Sequence, residues 1–346
     1  MTEDWKHFLL ANGAEFDNDF LSGFGNIDLE RRASVGGDVM CDLSQSYRLL
    51  AIQGEDAREF LQGQLTNDIN GLSPETSQLS GFCNPKGRLI ANFRLMQNGD
   101  TLFAIVPQDV FDTTLQKLQF YIVRAQVVIG DASEALVHIG VSGDRAAAQL
   151  REHLGALPED LHDVLQHERY MVIKVGDERY QVFGNLEDSK SLWQHLDVQC
   201  AAVGGQHWQL LNIRDGIGEI TAATCEAFVP QMLNMDLLGA ISFDKGCYTG
   251  QEIVARTHYL GKQKRRMYRI KILSDTPPAA GDELATDSSG ENQYTGTLVT
   301  VQPATDNGYE ALAVIQIKAA ETEALKLKHS ASQIELLPLP YSFESG

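Results

Sequence analysis

The feature that most constrains the fold is a sequence pattern that occurs twice, about 90 residues apart. Segments AIQGEDAREFLQ (51–62) and GVSGDRAAAQLR (140–151) both run from apolar residues through a glycine into acidic residues and an Ala-containing helix pattern. Strand–glycine–helix is a common arrangement, so the sequence alone allows either duplication or coincidence. Either way the pattern indicates an α+β class with ferredoxin-like units.

Hydrophobic periodicity predicts the elements of each unit. In the first unit we predict strands at 47–54, 79–83, 89–96, 102–106 and 126–129, with helices over 55–70 and 109–122. Asn98–Gly99 is a hairpin-turn signal between two of these strands. In the second unit we predict strands at 136–141, 170–175 and 180–183, with helices at 144–154 and 188–200.

These patterns divide the chain into three parts. Residues 1–40 are predicted to form an N-terminal arm, and residues 41–264 a region with units at roughly 41–130 and 131–200. Residues 201–264 complete that region. From 265 to 346, short alternating segments are separated by Pro277–Pro278, Pro303 and Asn307–Gly308, which predicts a small β-barrel.

Composition excludes several classes of protein. The 346 residues are 43% hydrophobic and carry a net charge of −19, which is typical of a globular chain and opposes adhesion to DNA or an anionic membrane. The five cysteines form no CxxC pair, and the histidines show no metal-ligand spacing, so no metal is predicted. With no apolar run of about 18 residues or basic leader, we expect a cytoplasmic protein.

The densest chemical signal is FDKGCYTGQEIVARTHYLGKQKRRMYRIK (243–271). Thr249 and Glu252 have capping-box spacing, which predicts a helix from 250 to 261 and places Cys247 just before its N-terminus. Lys245 is two residues away, and Gly246 removes side-chain bulk. We therefore predict Cys247 as a reactive thiol, with Lys245 stabilising its thiolate. The alternative is that Cys247 is a small buried hydrophobic residue.

Basic residues are concentrated in the same segment. From 245 to 271 there are eight basic residues and one acidic residue. Such a stripe on an acidic protein would attract a polycarboxylate or RNA, whereas a solvated linker is the alternative for KQKRR.

The segment KGCYTGQE resembles the signature of the YgfZ family, folate-binding proteins related to the T-protein (aminomethyltransferase) of the glycine cleavage system and to mitochondrial iron–sulfur maturation factors. The resemblance extends over nearly the whole chain, through IQGEDAREFLQGQLTNDI, GFCNPKGRLIANFRL, WQLLNIRDGI, FVPQMLNMDLLGAISFDKGCYTGQEIVAR and LPLPYS. It implies a duplicated folate-binding region and a C-terminal barrel, arranged as a three-part ring whose central opening the KGCYTGQE loop faces.

The resemblance also implies which residues form the site. Tyr47 and Trp208 match aromatic folate contacts of the family; the alternative is that Tyr47 is an ordinary strand aromatic and Trp208 a core anchor. The KGCYTGQE loop and the helix after it are expected to contribute Gly246, Tyr248, Gly250, Gln251 and Arg256 to binding of tetrahydrofolate or another reduced folate.

Two departures from the family pattern argue against aminomethyl transfer. Where aminomethyltransferases carry an aspartate pair, this chain has Ala91–Asn92, and NIRDG replaces the segment with the pterin-binding glutamate. Asp215 or Glu219 is expected to compensate.

The sequence thus predicts a folate-binding accessory protein rather than a turnover enzyme. Its expected partners are iron–sulfur client enzymes such as a tRNA methylthiotransferase, with an indirect effect on tRNA. A folate-dependent one-carbon transferase is the first alternative, and a direct tRNA-binding module using residues 262–271 is the second.

Overall fold

The N-terminal region is folded. The computed structural model describes residues 1–18, 20–259, 261, 263–287, 294–330 and 332–343. Its first elements are α1 (Glu3–Ala11), β1 (Glu15–Asp17), β2 (Phe20–Gly23), α2 (Ile27–Gly36) and β3 (Val39–Asp42).

The first unit is a five-stranded antiparallel sheet covered by two helices. Its elements are β4 (Tyr47–Gln53), α3 (Ala57–Gln62), β5 (Gln78–Cys83), β6 (Leu89–Asn98), β7 (Thr101–Pro107), α4 (Phe111–Phe120) and β8 (Val128–Asp131). The strand order is β5-β6-β7-β4-β8. Gly99 has φ +55° in the turn between β6 and β7, which confirms the predicted hairpin.

The second unit repeats this order of strands. Its elements are β9 (Val137–Ser142), α5 (Asp144–Leu154), β10 (Val164–Gln166), β11 (Tyr170–Gly176), β12 (Arg179–Gly184), α6 (Leu186–Leu196) and β13 (Ala201–Val203). The sheet order is β10-β11-β12-β9-β3-β13, which is the first unit's order with β3 inserted before the last strand. The shared topology confirms the duplication, with one strand more per unit than the βαββαβ pattern.

Residues 1–40 pack on the second unit. Strand β3 pairs antiparallel with β9 and parallel with β13. Trp5 on α1 is buried against Trp193 on α6, with ring centroids 5.7 Å apart, and its Nε1 donates to Asp42 Oδ1 at 2.8 Å. The predicted arm therefore completes the core of the second unit.

The rest of the chain connects to a near-closed six-stranded sheet. Its elements are α7 (Gly205–Arg214), α8 (Gln251–Tyr259), β14 (Arg265–Ser274), β15 (Glu283–Thr286), β16 (Gly296–Pro303), β17 (Tyr309–Gln316), α9 (Ile317–Thr322), β18 (Leu325–Leu327) and β19 (Ser332–Leu337). The sheet order is β18-β15-β16-β17-β14-β19, and Leu327 N donates to Ser332 Oγ at 2.7 Å where the end strands meet. No helix in the described ranges is long and apolar enough to cross a bilayer.

The helix predicted over 55–70 is wrong in length, because α3 ends at Gln62. Beyond Gly63 the chain turns so that Leu65 pairs with Phe82 of β5. The Thr66 hydroxyl accepts from Gly81 N and donates to Ala240 O, both at 2.7 Å. Tertiary hydrogen bonds thus replace the helical ones that periodicity predicts.

Candidate functional site

A narrow cavity lies between the sheets of the two units. Apolar side chains from both sheets form most of its walls, and polar groups are placed among them. Its lining residues are Tyr47, Leu79, Asn92, Phe93, Arg94, Ile105, Pro107, Val175, Gln181, Asn212, Ile217 and Glu219. We call this space the inter-sheet cavity; its volume is about 50 Å³, and its apolar walls with polar groups at the edge have the chemistry that a flat ligand with a polar edge needs.

Glu219 is the acidic group of the inter-sheet cavity. Its Oε1 accepts a 2.5 Å hydrogen bond from the Tyr47 hydroxyl and a 3.1 Å hydrogen bond from Asn212 Nδ2. Asn212 Nδ2 also donates to the Tyr47 hydroxyl at 2.9 Å. Because both donors to Glu219 meet Oε1, Oε2 is the oxygen left for a ligand.

Burial raises the pKa of Glu219 to about 7, although the hydrogen bonds from Tyr47 and Asn212 and the charge of Arg179 act in the opposite direction. The carboxyl therefore changes protonation near neutral pH.

Arg179 fixes the orientation of Asn212. It is buried, pairs with Asp215, and donates from Nη2 to Asn212 Oδ1 at 2.9 Å. An amide whose oxygen accepts from Arg179 must present its NH₂ group on the other side, toward Tyr47 and Glu219. Asp215 is thus held by an arginine, and of the two predicted compensating acids it is Glu219 that lines the cavity.

Asn92 holds the segment that carries Glu219. Its Nδ2 donates to Gly218 O at 2.7 Å and its Oδ1 accepts from Ile220 N at 2.8 Å. Its neighbour Ala91 is fully buried. In place of the aspartate pair of aminomethyltransferases, this chain therefore has an asparagine that positions Glu219.

The structure separates the two predicted aromatic contacts. Tyr47 lines the inter-sheet cavity, whereas Trp208 is 1% exposed and packs in the core behind it. The Arg179 guanidinium lies 4.2 Å from the Trp208 ring centroid. Trp208 thus supports Arg179, and Tyr47 is the aromatic ring that a ligand can reach.

A second cavity of about 570 Å³ lies where the N-terminal region, the first unit, α7 and the barrel meet. Glu219 and Pro107 line both cavities, so the two spaces adjoin. The wider one has acidic and amide side chains, including Asp42, Asp109 and Gln302, and no lysine or arginine within the described ranges. A folate glutamate tail is anionic, so basic side chains are expected around it. The described residues of the wider cavity include none.

The KGCYTGQE loop exposes Cys247 and buries Lys245. Cys247 is exposed, which contradicts the alternative of a small buried hydrophobic residue. Lys245 is 8% exposed, and its Nζ donates to the backbone carbonyls of Leu65 and Asn67, both at 2.7 Å. The hydrogen bonds of Lys245 thus go to the 65–67 backbone, which differs from the predicted role of stabilising the Cys247 thiolate.

Helix α8 begins one residue later than predicted. It starts at Gln251, so Gly250, with φ +84°, is the N-cap residue, and the Thr249 hydroxyl donates to Gln64 Oε1 at 3.3 Å. The predicted Thr249–Glu252 capping box is therefore wrong.

The remaining predicted loop residues differ in exposure. Tyr248 is buried, Gly246 and Arg256 are exposed, and Gln251 is half-buried at the first turn of α8. The loop docks on the first unit, through Thr249 N on Gly63 O at 3.3 Å and through Lys245. It thus lies apart from the residues that line the inter-sheet cavity.

Gly250 is required where the loop meets the turn between β5 and β6. A Cβ at Gly250 would lie 2.5 Å from the Asn84 carbonyl oxygen, at a φ that L-residues rarely adopt. We expect Gly250→Ala to lower the free energy of unfolding by about 2 kcal/mol or more. Gly246→Ala is the matched control, since its Cβ would meet nothing within 4 Å. Equal urea denaturation midpoints for the two variants would contradict this assignment.

Lys245 holds the loop on the first unit. Lys245→Met removes the donors to Leu65 O and Asn67 O, and we expect a loss of about 1–3 kcal/mol in unfolding free energy. Proteolysis within 243–250 should also become faster under native conditions. Lys86→Met, an exposed lysine of the nearby β5–β6 turn, is the control. An unchanged cleavage rate in Lys245→Met would show that the loop does not depend on this contact.

Three of the eight basic residues of the predicted stripe form ion pairs among the described residues. Arg266 pairs with Asp236 through two hydrogen bonds at 2.6 and 2.8 Å, Arg269 pairs with Glu310 at 2.6 Å, and Lys271 pairs with Asp306. Lys262 lies outside the described residues. These ion pairs remove part of the charge on which direct tRNA binding through 262–271 depends.

Comparison with solved structures identifies the fold. Glycine cleavage system aminomethyltransferase T from Bartonella henselae superposes with a TM-score of 0.74 at 15% sequence identity, covering 98% of this chain and 97% of that one. Residues 16–182 also match the family described as the GCVT N-terminal domain. The protein therefore has the fold of the glycine cleavage T-protein, as expected.

Sequence comparison identifies the family. The tRNA-modifying protein YgfZ of Yersinia pseudotuberculosis is 33% identical over 313 residues, covering 90% of this chain and 94% of the relative. The tRNA-modifying protein YgfZ of Yersinia enterocolitica is 32% identical over 299 residues, covering 86% and 90%. The chain belongs to the YgfZ family.

Several residues that line or organise the inter-sheet cavity were not predicted from the sequence. Asn212, Arg179 and Arg94 were not predicted to line or organise a site, and Glu219 entered only as a compensating acid. One signal was present: Asn92 and Arg94 are polar residues at alternate positions of an otherwise apolar strand, so they share one face of β6.

Proposed function

We propose that this protein binds tetrahydrofolate, or another reduced folate, and acts as a cytoplasmic accessory factor for iron–sulfur enzymes. The observation that carries the proposal is the Glu219 carboxylate, held through Oε1 by Tyr47 and Asn212 at the edge of a narrow apolar cavity. A pterin ring is flat and carries adjacent N–H donors on one edge, which an ionised carboxylate accepts.

The types of residue present match this ligand in chemistry, and the cavity of about 50 Å³ must widen to admit the ring. Ile105 and Val175 supply apolar walls from the two sheets, and Ile217 adds to them. Tyr47 adds an aromatic ring beside the carboxylate. The chain thus offers apolar surface for the ring faces and an acceptor for the ring edge.

An accessory role agrees with the chemistry of the site better than turnover. Ala91 and Asn92 replace the aspartate pair of aminomethyltransferases. Both the NH₂ group and the oxygen of the Asn92 amide are hydrogen-bonded to the 218–220 backbone. The exposed Cys247 is the chemically reactive group of the KGCYTGQE loop. We propose that this thiol acts on iron–sulfur client enzymes such as a tRNA methylthiotransferase, so that tRNA modification depends on the protein indirectly.

Two measurements test the proposal. Purified protein should bind tetrahydrofolate in a calorimetric titration. Wild-type protein should also restore methylthiolated tRNA in a bacterial strain that lacks its own YgfZ. Absence of binding would refute the folate assignment, and absence of rescue would refute the role in iron–sulfur enzymes.

A folate-dependent one-carbon transferase is the second candidate. It is favoured by Glu219, which has a pKa of about 7 and is therefore able to exchange a proton at neutral pH inside the cavity. Tetrahydrofolate-dependent turnover of a methylated or aminomethylated substrate, lost in Glu219→Gln, would support this function over the accessory role.

A further inference from the structure

Arg94 carries a buried positive charge that no carboxylate neutralises within the part of the chain that the structure describes. Its side chain is 7% exposed and lines the inter-sheet cavity. Nη1 donates to Ser77 Oγ at 2.9 Å and lies 2.8 Å from His162 Nδ1. Burial and the charge of Arg94 lower the pKa of His162 to about 4, so this partner is neutral at physiological pH. Arginine is seldom buried in proteins without an ion pair.

The fold holds Arg94 in place at an energetic cost. His162 has φ +77°, a left-handed conformation that is unfavourable for a residue with a side chain. Its carbonyl oxygen accepts from Ser77 N at 2.7 Å and Ser77 Oγ at 3.0 Å, which fixes both neutral partners of the guanidinium. An unpaired charge held by a strained residue is expected where a ligand completes the interaction.

Arg94 and Glu219 line the same cavity with opposite charges, yet no ion pair joins them among the described residues. Asn92 lies two residues before Arg94, about 7 Å along β6. Its amide is hydrogen-bonded to the backbone on both sides of Glu219. Both side chains therefore line one cavity, Arg94 from β6 and Glu219 from the segment that Asn92 holds.

We propose that Arg94 determines specificity by donating to the 4-oxo group of a pterin whose adjacent N–H donors bind Glu219. This inference rests on the proposed folate function and deepens it. The donor–donor–acceptor edge of a 4-oxopterin is matched by an acceptor carboxylate and a donor guanidinium, and the inter-sheet cavity is lined by one of each.

In this proposal Arg94 binds the pterin ring rather than the glutamate tail. The tail carries two strongly hydrated carboxylates, and burying them beside Glu219 would place like charges together in a narrow apolar space. A carbonyl oxygen loses far less hydration on entering the cavity, and it leaves the tail free to extend into solvent.

Folic acid and aminopterin test this inference, because they share the tail and differ in the ring: folic acid has a 4-oxo group beside N3–H, and aminopterin has a 4-amino group beside an unprotonated N3. We expect the wild-type protein to bind folic acid about tenfold more tightly than aminopterin. Arg94→Gln should weaken folic acid binding about tenfold and leave aminopterin binding nearly unchanged, so that the preference disappears. Arg94→Lys, which retains a cationic donor, should restore part of the preference.

Arg88→Gln is the matched control, since Arg88 is exposed at the start of the same strand and donates to Ala227 O. It should leave both affinities unchanged. Unfolding temperatures of the free variants add an independent measurement: Arg94→Gln should not lower the melting temperature, because it removes an unpaired buried charge.

Three outcomes would overturn the inference. Equal weakening of both ligands by Arg94→Gln would assign Arg94 to the tail, and unchanged binding of both would exclude contact with the ligand. Failure of the wild-type protein to bind either compound or tetrahydrofolate would refute the proposed function together with this inference, whereas the first two outcomes leave folate binding intact.

Discussion

Replacement of Cys247 by alanine is expected to abolish rescue of tRNA methylthiolation in a bacterial strain deleted for its own YgfZ. The thiol is exposed, so its removal leaves no cavity in the core and breaks no packing. We therefore expect the melting temperature of Cys247→Ala to stay within about 2 °C of wild type. The measurement is the amount of methylthiolated nucleoside in tRNA, with both proteins at matched abundance.

Cys225→Ala is the matched control for this experiment. Cys225 is half-buried, and its Sγ lies 3.5 Å from Ile90 O, away from the KGCYTGQE loop. It should rescue as wild type does. Full rescue by Cys247→Ala would reduce the loop to a structural element, while tetrahydrofolate binding, measured in parallel, would show whether the folate site is unaffected.

The fold was largely predictable because it depends on local patterns. Alternation in 89–106 with Asn98–Gly99 predicts the hairpin of β6 and β7, and the Gly–Asp start at 143–144 predicts α5 with its observed bounds. The insertion of β3 beside β9 was not predictable, because strand pairing over about 100 residues of sequence leaves no local signal. The length of α3 was missed for the same reason: Leu65 and Thr66 are held by distant partners.

The candidate site was predictable only in part. KGCY identifies the exposed thiol, since a glycine-flanked cysteine before a helix is a local feature of the sequence. Lys245 has no local cue that its amine meets the 65–67 backbone, because that contact joins segments about 180 residues apart. The Tyr47–Asn212–Glu219 cluster likewise assembles residues from the first unit, α7 and the segment after α7, so only the fold brings it together.

Glu219→Gln is expected to weaken tetrahydrofolate binding about 100-fold, because the amide oxygen keeps the hydrogen bonds from Tyr47 and Asn212 and an NH₂ donor then stands where Oε2 accepts from the ring. For the wild-type protein, the affinity should fall as the pH drops below about 7, where the raised pKa of Glu219 leaves the carboxyl protonated. Titrations between pH 6 and 8 measure this effect. Asp109→Asn, which removes an acid of the wider cavity alone, should leave the affinity and its pH dependence unchanged.

The same substitution should stabilise the protein free of ligand at pH 8. The folded pKa of Glu219 is about 7 against an unfolded value of 4.5, so stability is lost as the pH rises through the folded pKa. At pH 8 the buried carboxylate costs on the order of 2 kcal/mol, which Glu219→Gln avoids. We expect a higher melting temperature than wild type at pH 8 and none of this gain at pH 4.5. An equal rise in melting temperature at both pH values would show that ionisation of Glu219 does not cause the stabilisation. The ionised carboxylate would then not destabilise the free protein.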